Sequence, residues 1–119
     1  MKKILTALGL LMASGFTMAA QMECMVDTAN YDQWSTGECS SFEYTLDRKP
    51  NNAIWRIVGI QKPVSSVIWS ERTTGCSTSA TSCTKAIPPY SYHVGKATVL
   101  YTDGTYEILQ ATAQFETGF

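Results

Sequence analysis

The sequence predicts an all-β protein: a small antiparallel β-sandwich of six or seven strands, held by two local disulfides. Three observations lead there. Apolar residues recur with a period close to two along most of the chain, the spacing of strands with one wet face. An Asp-Gly pair, Asp103-Gly104, joins two β-rich runs as the turn of a hairpin would. Four cysteines fall as two close pairs behind an N-terminal export signal, so they are read as cross-links.

The signal decides what the cysteines are. Lys2 and Lys3 form a short positive region, residues 4–12 an apolar run broken only by Thr6 and Gly9, and Ala19 and Ala20 supply small residues for a peptidase. The run is too short to cross hydrocarbon, which takes about 20 apolar residues. The expected organisation is a secretory signal over residues 1–20, cut after Ala20 with Ala19 as the close second, and one domain over residues 21–119. The signal is of bacterial type, which implies a periplasmic or secreted protein in a disulfide-forming compartment. A domain of 99 of the 119 residues is small enough for covalent staples to matter.

Charge excludes some partners. Without Lys2 and Lys3 the nine basic residues fall to seven against ten acidic ones. The seven (Arg48, Lys49, Arg56, Lys62, Arg72, Lys85, Lys96) are scattered, with none of the concentration that phosphate neutralisation requires. Neither a nucleic-acid partner nor a membrane span in the processed chain is expected.

The strands follow in order. "MECMVDTA" is a candidate strand, and "NYDQWSTGEC" reads as a loop. Phe42, Tyr44 and Leu46 alternate with polar residues, predicting a half-buried strand with these three inward. The polar cluster 47–52 reverses the chain. "AIWRIVGI", residues 53–60, is apolar on nearly both faces and predicts a central strand; Lys62-Pro63 ends it. "VSSVIWSE", residues 64–71, carries Val67 and Trp69 on one side and Ile68 alone on the other. A two-residue turn at Asp103-Gly104 would pair Tyr101 with Tyr106 and Val99 with Ile108 on one face. Beyond Leu109 the apolar positions become Ala111, Ala113 and Phe115, which predicts a bulge or a change of sheet partner. This spacing suits an immunoglobulin-like or fibronectin-like sandwich, with a small closed barrel as the alternative. The Cys…Trp…Cys spacing of antibody domains is missing.

Four cysteines allow three connectivities. Local pairing, Cys24 with Cys39 and Cys76 with Cys83, is expected because each pair flanks turn-rich sequence. A metal site from Cys76, Cys83 and His93, with Cys24 or Cys39 as a fourth ligand, has the wrong spacing, since structural zinc takes cysteines two to four residues apart. A redox site would want C-x-x-C. No cofactor is implied.

The candidate site residues lie in loops. Residues 73–84 are nearly all Ser, Thr, Gly and Ala, too small to build core, so they are expected outside. "KAIPPYSY" then presents Ile87, Pro88, Pro89 and Tyr90 in a stiff, extended stretch. Such a segment loses little entropy on binding. Trp34 and Tyr31, in a polar loop, are candidates for exposed stacking. Trp55 and Trp69 belong to strands and the core. His93, the single histidine, invites a hydrolase reading, but no G-x-S-x-G elbow accompanies it and strand alternation would point Ser91 away from it. The expected function is therefore an exported, non-enzymatic binding or accessory module engaging a protein or a surface glycan through disulfide-tightened loops. Its alternatives are a secreted enzyme inhibitor inserting residues 76–89 and a small hydrolase using His93.

Overall fold

A computed structural model describes residues 19–29, 32–45 and 47–118, so the signal expected over residues 1–20 falls almost wholly outside the described residues. There the alternation resolves into eight strands: β1 (Gln21–Val26), β2 (Ser35–Thr36), β3 (Glu38–Glu43), β4 (Asn51–Val58), β5 (Val64–Glu71), β6 (Ser82–Ile87), β7 (His93–Tyr101) and β8 (Tyr106–Thr117). They form two four-stranded sheets, ordered β2-β1-β4-β6 and β3-β8-β7-β5, that do not close into a barrel. The order β1-β4-β6 against β8-β7-β5 is that of the facing A-B-E and G-F-C strands in immunoglobulin-like sandwiches. The expected sandwich is the fold, with β4 central as its two apolar faces required.

One pair is parallel, however: β3 runs beside β8 from Glu38↔Thr112 to Glu43↔Thr117. The chain reaches it by changing sheets at Gly37. The Gly37 N–H donates to Met22 of β1 at 3.1 Å, and its carbonyl accepts from Thr112 of β8 at 2.9 Å. Its φ of +80° lies in the left-handed region, where a side chain would be strained.

Both disulfides have the expected pairing. They meet at one tryptophan. Cys24, Trp55 and Cys83 lie side by side across β1, β4 and β6, all buried. Opposite them the second sheet offers only small residues: Gly95 and Ala97 on β7, Ala111 and Ala113 on β8. A methyl added to Gly95 would overlap the Trp55 indole, and the indole Nε1–H donates to the Ala111 carbonyl at 2.9 Å. Small residues on one sheet thus make room for the largest side chain of the other, and its one polar atom is satisfied.

Two strand phases differ from expectation. In β3 the buried residues are Cys39 and Glu43, while Tyr44 is 74% exposed and Leu46 lies outside the described residues. The bond from Cys39 to Cys24 turns Cys39 inward, and alternation then sends Phe42 and Tyr44 to the outer side. At the last hairpin the register is Leu100↔Tyr106, one residue from the expected pairing. Tyr101 N–H donates to Thr105 O and Gly104 N–H to Tyr101 O, which makes a three-residue loop with Gly104 at φ +89°. The slip turns Tyr106 and Ile108 outward and Glu107 inward. With that register β8 keeps one phase from Glu107 to Thr117, so no shift occurs after Leu109; from Thr112 onward β8 gains β3 as a second neighbour.

Candidate functional site

The loop of residues 72–81 does not project. Val67 N–H on the edge strand β5 donates to Thr78 O at 2.9 Å, Ile57 N–H on β4 donates to Thr81 O at 2.8 Å, and the Trp69 indole N–H donates to Ser77 O at 3.1 Å. The loop therefore lies along the open side between the sheets and covers the β5 edge, where unpaired N–H groups would recruit other chains. Thr73, expected outside, is fully buried; its hydroxyl donates to Ser70 O at 2.7 Å and accepts from Lys96 N at 3.1 Å.

Of the proline-tyrosine stretch, Ile87 is core, with no exposed surface. It shares a side of β6 with Cys83, whose disulfide fixes that side as the inner one, so Ile87 is not available as a contact. Pro88 and Tyr90 are exposed and Pro89 is half-buried. Tyr90 sits at φ +67°, a conformation costing a non-glycine residue about 1–2 kcal/mol. Three contacts hold it. Its N–H donates to Phe115 O at 2.9 Å, its hydroxyl donates to Thr117 O at 2.9 Å, and the Arg48 guanidinium lies 4.7 Å from its ring centre.

This end of the sandwich carries other exposed aromatics that the sequence reading did not offer as contacts. Tyr92 is 69% exposed, and Tyr44 follows Glu43, whose register partner is the same Thr117. Arg48 was read only as scattered charge; its place over Tyr90 depends on the β3–β4 loop meeting the β6–β7 loop. Tyr92 was legible as the second tyrosine of "PPYSYH", but Tyr44 was hidden by an alternation that fitted core equally well.

Beneath these loops Glu43, 7% exposed, accepts from Ala29 N–H at 2.9 Å and from Asn51 Nδ2 at 3.3 Å. Asp32 accepts from the Thr28 hydroxyl and N–H at 2.7 and 3.0 Å. These carboxylates tie Thr28 to Asp32 and Ala29 to β3. Trp34 is half-buried and lies on the outer side of the first sheet, its ring 3.7 Å from the Arg56 guanidinium, which also pairs with Glu23 at 2.7 Å. Tyr31 lies outside the described residues.

His93 begins β7 and is half-buried, with Nε2 2.9 Å from Ser91 Oγ and 3.2 Å from Pro88 O. Ser91 thus lies on the same side as His93, contrary to expectation, because residues two apart share a strand face. The Pro88 carbonyl can only accept, so the tautomer that makes this bond carries its proton on Nε2 and in that state is no base toward Ser91. Burial, together with the nearby Arg72, holds the imidazole pKa below its usual value in spite of the Pro88 bond. All four cysteines are in disulfides, leaving no thiolate for a metal or for redox chemistry, and among the described residues no helix is long and apolar enough to cross a membrane.

At the opposite end an open cleft of about 400 Å³ lies between the β4–β5 loop and the last hairpin, with Ala19, Lys62, Tyr101 and Glu107 in its walls. The Tyr101 hydroxyl donates to Glu107; burial and that carboxylate raise its pKa to about 12. Asp103 accepts from the Thr105 N–H and hydroxyl and pairs with Lys62 at 3.0 Å, which lowers its pKa to about 2.

Comparison with protein-family models, curated proteins and solved structures finds no match to this chain.

Proposed function

We propose that this chain is an exported, non-enzymatic binding module whose contact surface is the tyrosine-bearing end built by residues 44–45, 47–50 and 88–92. The observation that carries the reading is Tyr90: a strained backbone kept in place by bonds from both its amide and its hydroxyl, in a loop that exposes Tyr92 beside it. Strain of this kind persists where a site is pre-set, and rigid tyrosines give contact area at small entropic loss. The partner class is a protein or a surface glycan, both of which tyrosine faces and Arg48 suit. The Pro88 carbonyl beside His93 Nε2, which favours a proton on that nitrogen, weighs against the hydrolase reading. The burial of Cys83 and Ile87 and the pairing of β6 with β4 weigh against insertion of residues 76–89 into an enzyme cleft.

The test uses Tyr44→Ala with Tyr92→Ala, two exposed side chains whose removal should leave the melting temperature within about 2 °C of wild type, as surface changes do. Capture of partners from envelope extract, and binding to a glycan array, should fall at least about tenfold, the equivalent of 1.4 kcal/mol. Undiminished capture by the double variant would remove this surface from consideration. If His93→Ala abolished a hydrolytic activity found in wild type, the enzyme reading would replace the proposal.

A further inference from the structure

Ala20 is the first buried residue of the described chain, 4% exposed, whereas Ala19 before it is exposed. Its nitrogen donates to Glu107 Oε1 at 3.2 Å, and the other oxygen of that carboxylate takes the Tyr101 hydroxyl. Among the described residues Glu107 forms no ion pair; Lys62, the nearest cation of the cleft, is engaged with Asp103 and with the Tyr101 ring. A half-buried carboxylate is thus aimed at a backbone nitrogen with only neutral donors upon it. An ammonium at that point would make a charge-assisted bond, roughly twice as strong as a neutral one.

We infer that export cuts the bond between Ala19 and Ala20, and that the α-ammonium released at Ala20 is held by Glu107. This rests on the reading of residues 1–20 as a signal, and moves the expected cut back by one residue. A signal peptidase hydrolyses the amide: water gives its hydroxyl to the Ala19 carbonyl and a proton to the Ala20 nitrogen. The amine so formed takes up one more proton at neutral pH. The sequence agrees independently. A cut here places Thr17 and Ala19 at the two positions where the peptidase wants small side chains, whereas a cut after Ala20 places the longer Met18 at the first of them. That later cut would also strip a methyl from the core and take one donor from Glu107.

The pairing carries a pH signature. A free α-amine titrates near about 7.7–8.0, and the adjacent carboxylate raises this value in the folded protein. Its contribution to stability is complete below the ordinary value and is lost as pH rises through the raised one. The groups facing the amine are Glu107 and Tyr101; Lys62 and Tyr106 also line the cleft, and Asp103 is paired with Lys62.

The experiment is export of the full chain from a bacterial host, followed by intact mass of the unreduced product. Residues 20–119 with two disulfides are expected. A product beginning at Gln21, or its cyclised form lighter by one ammonia, would overturn the cut site while leaving export intact. An uncleaved chain would overturn both readings. On the product beginning at Ala20, amine-selective labelling at pH 7 should be several-fold faster in Glu107→Gln than in wild type, because the amine loses the charge that keeps it protonated. Equal labelling would overturn the capture by Glu107.

Discussion

The two disulfides have the same Cα–Cα distance, 5.8 Å, and end beside the same tryptophan, yet they do different things. Cys24–Cys39 passes from β1 in one sheet to β3 in the other with both ends buried. It ties the layers together and determines which face of β3 is inside. Cys76–Cys83 joins a half-buried loop cysteine to the edge strand β6, and holds a loop whose carbonyls satisfy β4 and β5. One bond sets register; the other protects an edge. A cross-link's consequence therefore depends on what it connects more than on the length of chain it encloses. Chain entropy alone separates separations of 15 and 7 residues by only about 0.7 kcal/mol.

The largest expected effect removes the feature both bonds share. Trp55→Ala, deleting a fully buried indole, should cost about 3–5 kcal/mol, read as a shifted denaturant midpoint. Replacing Cys24 and Cys39 together by alanine should cost about 3 kcal/mol or more. Amide exchange across β3 and its partner residues 112–117 should rise with it. Unchanged β3 protection would mean that the strand's phase does not depend on the bond. Cys76→Ala with Cys83→Ala should cost about 2 kcal/mol. Its exchange signature should be confined to the amides of Ile57 and Val67, which donate to the freed loop. If both double variants exposed the same amides, the division of labour would be wrong.

The smallest effect lies outside both covalent loops. Because the Asp103 carboxyl has a folded pKa near 2, below its ordinary value of 3.8, its contribution is present above that ordinary value and lost as pH falls through about 2. Asp103→Asn should thus melt slightly below wild type at pH 7, with the difference narrowing below pH 3.8 and disappearing only below about pH 2.

Much of this fold was legible in the chain. "AIWRIVGI" had too much apolar surface for an edge, and β4 indeed has a neighbour on each side. Val67 and Trp69 faced the core with Ile68 left outside, as their alternation required. The cysteines paired locally because short turn-rich segments close most readily. The site was less legible. Ile87 has the look of a presented side chain between an alanine and two prolines, but Cys83 four residues earlier directs its face inward. Tyr44 fitted core by alternation and ended outside. Tyr90 was singled out, but its left-handed backbone depends on Phe115 and Thr117, which are distant in the sequence.

By itself the sequence determined the strands other than β2 and β6, which it read as loops, the central position of β4 and the local cross-links, because period-two alternation and short-range closure are properties of neighbouring residues. Only the tertiary structure decided which face of β3 lies inside, the one-residue register of the last hairpin, and the meeting of Arg48 with Tyr90. Alternation defines two faces without saying which is buried. That choice is made by partners far along the chain: a sulfur on another sheet, a carboxylate holding a distant amide, a glycine that leaves room for an indole.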